Sequence, residues 1–191
     1  MRYRRPWHSD NATCIVSHQD WLHPNQRYEK AGLSVSDLAE FSMIATAVQG
    51  IFEQKKALVR SIYYLNGALH MWLWDARFVM FTVVLESLFT TDSQEISHKI
   101  AERVAWFLEV EVESRRSLYD RMREIYKIRS KIVHGTEIKG VVGEVSESLM
   151  ADLELYTQRA LKKILADQSL VDTFSSKSDE RESFLGSLLF K

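Results

Sequence analysis

The sequence predicts an all-α fold, a bundle of five to seven helices, on three observations. The 191 residues include only two prolines and seven glycines and are rich in Leu, Glu, Arg, Lys and Ala, a composition that favours helix. In residues 111–135, EVESRRSLYDRMREIYKIRSKIVHG, the apolar residues Leu118, Met122, Ile125, Ile128 and Ile132 recur at steps of three and four, the spacing of one buried helix stripe. The same stretch begins with Glu111 and Glu113 and ends with Lys127, Arg129, Lys131 and His134, as the helix macrodipole prefers. Gly135 then stands where a left-handed residue would stop the helix. At roughly 1.5 Å per residue this helix is about 35 Å long, enough to serve as the central post of a small domain.

The remaining elements follow in order. Residues 1–33 are irregular, broken by Pro6, Asp10, Asn11, Pro24, Asn25 and Gly32, with Trp7, Ile15, Val16, Trp21 and Leu22 available to lie against a bundle. Residues 34–170 carry the helical domain. Ser34 or Ser36 caps its first helix, whose apolar face is Leu38, Phe41, Ile44, Ala45, Val48 and Phe52. A second run, Leu58, Ile62, Leu65, Leu69 and Trp72, either continues that helix with a bend or forms a separate one. Asp75 caps the next helix, residues 76–89, which is apolar nearly all round and so is expected to be buried on several sides. Glu86 is its exception; an unpaired buried carboxylate is costly, and Arg103 is the expected partner in a structural ion pair.

Asp92 and Glu95 have capping-box spacing and open a helix with Ile96, Ile100, Val104, Phe107 and Leu108 inward. The long helix follows, then the glycine-containing loop 136–144. Ser146 caps a helix over 147–167 with Leu149, Leu153, Tyr156, Ala160, Ile164 and Leu165 inward. Residues 171–191 are read as a polar, serine-rich linker over Asp172–Glu182, then a short amphipathic piece (Phe184, Leu185, Leu188, Leu189) that docks on the bundle or on a partner chain.

Composition bounds the function. The net charge of −1 argues against a protein coated in positive charge but leaves room for a local basic patch. A single cysteine, Cys14, rules out an internal disulfide and fits a reducing, cytoplasmic setting. No run of about 18 apolar residues exists, so no membrane span is expected. The basic start, MRYRRPWHSDN, lacks the apolar segment of a secretory signal. Cys14, His18 and His23 lack the paired spacings and the fourth ligand of a structural zinc site. Trp72, Trp74 and Trp106 are expected to fill core, and no phosphate loop, serine elbow or paired-carboxylate motif is present.

Arg129, Ser130 and His134 sit at the end of the long helix. The string YKIRSKIVHG resembles the R-x4-6-H signature of the HEPN superfamily, and LESLFTTDSQEISHKIAERVAWFL, residues 85–108, resembles the matching segment of the Apea-like HEPN family. The resemblance spans about residues 75–135. It implies an all-helical, HEPN-type domain that usually dimerises and in many members cuts RNA without a metal. Such domains often follow another domain, so residues 1–33 are read as a junction to a missing part of a longer parent.

The chemistry suits the residues. In metal-free cleavage the 2′-hydroxyl of RNA attacks its own phosphate, which calls for proton transfer and for positive charge on phosphorus. Histidine titrates near working pH. Arginine presents a planar, permanently charged fork. The resemblance assigns these roles to His134 and Arg129, with Ser130 as a donor to phosphate or an anchor for the arginine. Arg123, Lys127 and Lys131 are candidate RNA-binding residues, within a strip where Arg115, Arg116, Arg121, Arg123, Lys127, Arg129 and Lys131 face only Asp120 and Glu124. No metal and no cofactor enter this reading.

Five helical steps set Arg129 and His134 roughly 140° apart. A homodimer through the motif-bearing helix would bring two of each into one cleft. The expected activity is therefore a metal-independent endoribonuclease acting in defence against phage or stress. The alternative is a non-catalytic HEPN module that binds RNA or nucleotide, or only dimerises. A tyrosine two residues beyond the histidine, modified in some HEPN toxin pairs, is Thr136 here.

Overall fold

A computed structural model describes residues 35–53, 58–91, 96–135, 144–176 and 178–190. These residues form eight α-helices and a closing 3₁₀ turn, without a strand among them. They are α1 (Val35–Glu53), α2 (Leu58–His70), α3 (Trp74–Phe89), α4 (Ile96–Leu108), α5 (Val112–Val133), α6 (Glu144–Leu165), α7 (Gln168–Ser175) and α8 (Ser178–Ser187), followed by Leu188–Phe190. The fold class is all-α as expected, with one helix more than the upper figure. The expectations for residues 1–33, for the capping box Asp92–Glu95 and for the loop from Thr136 lie outside the described residues.

The centre of the bundle is α3, not the long helix. It packs against α2, α4, α5 and α6 and buries Phe78, Phe81, Val84, Leu85, Leu88 and Phe89. α5 lies against α3, α4 and α6 through Leu118, Met122, Ile125, Tyr126 and Ile128, which leaves its opposite face to solvent. The inward faces of α4 and α6 are also those the periodicity gives, through Ile100, Val104 and Phe107 and through Leu149, Leu153, Ala160 and Ile164. In α1 and α2 the expected faces hold in part, since Ile44, Val48, Ile62 and Leu65 pack against the core. Ile51, Leu58 and Ala68 are buried, whereas Phe52, Leu69 and Trp72 are exposed.

Residues 172–182 are largely helical rather than a linker. The Asp167 side chain accepts the Ser169 amide at 2.8 Å and restarts the chain as α7 directly after α6. That turn carries Phe174 into the core, where its ring meets Phe89, Phe107 and Phe184 edge-on at 5.7, 5.5 and 5.9 Å. Such edge-to-face pairs add about 0.5–1.5 kcal/mol each beyond burial. Leu185 and Leu188 are buried as well, so the C-terminal piece docks on its own bundle. Of the polar residues that suggest a linker, Asp172, Asp179 and Glu180 lie on the outer faces of two short helices, whereas Arg181 and Glu182 turn inward.

Phe174→Ala is expected to cost about 3–5 kcal/mol, measured by urea unfolding, because a large buried ring is lost from a site closed on several sides. Leu155→Ala, at a side chain 48% exposed, is the control and should stay within about 0.5 kcal/mol.

Candidate functional site

The end of α5 is built as its sequence suggests. The helix closes with the His134 amide donating to the Ser130 carbonyl at 3.0 Å and the Gly135 amide to the Ile132 carbonyl at 3.1 Å. Gly135 has φ of 63°, the left-handed conformation a side chain would strain. Ser130, Lys131 and His134 are exposed here.

Arg129 is the inward member. It reaches α3, where its Nη2 lies 3.0 Å from Glu86 Oε1 and donates to Oε2 at 3.4 Å. The Tyr126 hydroxyl donates to the same carboxylate at 3.4 Å. Tyr126 and Arg129 are three residues apart on one helix, so both can meet a single group on the neighbouring one. Arg129 Nε is buried without a hydrogen-bond partner, and Nη1 makes no hydrogen bond among the described residues. One arm of the fork is fixed and the other is uncommitted.

Burial pushes the Glu86 carboxyl above the usual carboxylate range, and the Arg129 charge opposes that shift without cancelling it. Burial, reinforced by the Glu86 charge, also raises the Tyr126 hydroxyl well above its ordinary value, so it remains a donor.

This arrangement corrects the expected ion pair. Glu86 is met by Arg129, while Arg103 binds elsewhere. Buried Arg103 donates to the Phe89 carbonyl at 2.8 Å and pairs with Glu182 of α8. Arg181 donates to the Ser87 and Thr90 carbonyls at 3.4 and 3.2 Å. The two guanidiniums satisfy carbonyls at the negative end of α3, the groups a helix leaves unpaired. Arg103 lies on the far helix of the pair, and α8 supplies its carboxylate from 79 residues away. Nothing in local spacing announces that partner.

The basic strip also divides. Arg121 is drawn into α6, binding Asp152 at 2.6 Å and Ser148 at 2.5 Å, and binds Glu124 at 2.9 Å. Arg115 lies over the Trp106 ring at 4.0 Å and donates to the Glu109 carbonyl at 2.9 Å. Arg116, Arg123 and Lys127 have no ion pair or hydrogen bond through their side chains among the described residues. Of the three residues expected to bind RNA, Arg123 and Lys127 keep their charge unmatched, and Lys131 is exposed with an interaction of its own.

Arg129 and His134 are not brought together. The first is anchored inward on α3, and the second projects from the exposed end of α5 with no side-chain hydrogen bond among the described residues. Of the three tryptophans expected to fill core, Trp74 and Trp106 are half-buried and pack against it, whereas Trp72 is 51% exposed. No group of three or more potential metal ligands occurs among the described residues, and no described helix is long and apolar enough to cross a membrane. Comparison with family models, curated proteins and solved structures finds no match to the chain.

Linkage fixes the sign of a pH test at Glu86. A carboxyl whose folded value is raised holds its proton more tightly when folded, so its contribution to stability falls as pH climbs from about 4.3, the unfolded value, through the folded one. The stability of the wild type minus that of Glu86→Gln should therefore decline over that window, measured by urea unfolding across pH. A rising difference would mean that Arg129 outweighs burial.

Proposed function

We propose that the chain is a HEPN-type, metal-independent endoribonuclease. The observation that carries the reading is the placement of Arg129, Ser130 and His134 at one end of a long helix whose unmatched cations, Arg123 and Lys127, line the approach. The YKIRSKIVHG and LESLF resemblances imply an all-α fold, and the described residues are all-α in class.

In this mechanism the 2′-hydroxyl loses its proton to His134 as its oxygen bonds to phosphorus. The phosphorus–O5′ bond breaks, and O5′ takes a proton from a second acid. The products are a 2′,3′-cyclic phosphate and a 5′-hydroxyl. Arg129, steadied by Glu86 through Nη2, offers Nη1 to a phosphate oxygen, and Ser130 donates to another. Glu86 is thus a positioning residue. The second acid is His134 of another copy, which a two-fold dimer through the α5 ends would supply. The same dimer closes the roughly 140° gap between the two motif residues.

One observation favours the alternative, a non-catalytic module that binds RNA or assembles. Arg129 is already paired with Glu86 inside its own chain, and His134 lies on another side of the helix.

Incubation with total RNA separates the two. Cutting should persist in EDTA and leave cyclic-phosphate ends, and Arg129→Ala or His134→Ala should each lower it at least about a hundredfold, the scale of a lost general acid–base or electrostatic group. Cutting that needs added magnesium or zinc, or that survives His134→Ala, overturns the mechanism. Light scattering tests the shared site, since a strict monomer that still cuts RNA excludes it.

A further inference from the structure

The cations of α5 that have no partner among the described residues are aligned with His134. At about 100° per residue, Arg116, Arg123, Lys127 and His134 fall within about 20° of one line along the helix, with Ser130 about 40° and Tyr119 about 60° to one side and the acids Asp120 and Glu113 about 40° and 60° to the other, so the cations outnumber the acids beside them. Leu118, Ile125 and Ile132 lie on the opposite, inward side. The line runs from the motif to a shallow groove between α4 and α5 of about 290 Å³, lined by His98, Trp106, Val112, Arg115, Arg116 and Tyr119. Glu102 is the only acid among its lining residues. In that groove the Arg115 guanidinium is stacked on Trp106 at 4.0 Å and held by the Glu109 carbonyl, while His98 meets Tyr119 edge-on at 5.8 Å.

We propose that this face is a track for single-stranded RNA, with phosphates on Arg116, Arg123 and Lys127 and a base stacked in the Trp106–Arg115–Tyr119 groove. The proposal rests on the nuclease reading and adds to it a phosphate track and a base-stacking groove outside the motif. Three observations carry it: the charge complementarity of the line, its continuity with His134, and a preformed guanidinium–aromatic platform at its far end. Arginine planes and aromatic rings accept bases by stacking, and only unpaired bases can reach them. The other arginines near the motif are neutralised internally, by Glu86 for Arg129 and by Asp152 and Glu124 for Arg121. From Arg116 to His134 the track measures about 27 Å, so at about 3.4 Å per nucleotide it covers at most about eight nucleotides, fewer when the strand is stretched.

The test is binding of a 2′-O-methyl oligonucleotide of eight nucleotides, which cannot attack its own phosphates, followed by fluorescence anisotropy over a range of salt. The single strand should bind at least about tenfold tighter than the matching duplex. Trp106→Ala should weaken binding about tenfold or more, with Trp106→Phe recovering most of it, as expected for stacking. Arg116→Ala and Lys127→Ala should each reduce the slope of log affinity against log salt by about 0.7. Circular dichroism checks that each variant is folded, and Arg116→Ala, at an exposed side chain, carries the test if Trp106→Ala is not.

No saturable binding, equal binding of duplex, or binding indifferent to both Trp106 and Arg116 overturns the track. A dimer that Val112→Glu dissociates, with no strand binding, assigns the groove to a second copy instead. The two readings fail separately. Strand binding along the track without any cutting of natural RNA leaves the track and removes the nuclease. His134-dependent cutting with binding insensitive to the track variants does the reverse.

Discussion

The bundle depends on burying α3 on nearly every side. A helix so placed cannot leave a carboxylate or its last carbonyls without partners, because each would cost more than its neighbours' packing returns. Several such groups on α3 are met by side chains from other helices. Arg77, itself buried, pairs with Glu154 of α6 at 2.7 Å, and Ser87 donates to Ser61 of α2 at 2.7 Å. Glu86 takes Arg129 of α5, and the terminal carbonyls take Arg103 of α4 and Arg181 of α8. The polar partners thereby fix how five helices sit round the sixth.

This explains why Arg129 serves structure and candidate chemistry at once. Its pairing with Glu86 removes conformational freedom from a long side chain before any ligand arrives, which is what a phosphate-binding fork requires. The pairing also neutralises part of its charge. In the proposed nuclease those effects oppose each other, and the uncommitted Nη1 is where the remaining donor capacity lies. His134 is under no such restraint. It stands on the solvent side, in line with cations that have no partner among the described residues.

The candidate site was legible in part. The motif, the helix end at Gly135 and the inward stripe of α5 all follow from spacing, because helix phase is a local property. The basic strip was legible only as a count of charges. Which of its arginines are spent internally depends on Asp152, Glu86 and Trp106, residues supplied by three other helices. The groove at Trp106 was missed because a tryptophan on an amphipathic helix carries no sequence mark of half-exposure. A cation three residues into the next helix, Arg115, was the available hint.

By itself the sequence determined the helical class, the core faces of α3 to α6 and the end of α5, since these rest on periodicity and on the conformational demands of a few residues. The tertiary structure decided the rest. It made α3 rather than α5 the centre, turned a polar linker into α7 and α8, and gave Glu86 to Arg129 and Arg103 to Glu182. The reason is that partner choice for a buried charge is set by which helices meet in space. Spacing along the chain reports what a residue needs, and only packing determines which neighbour supplies it.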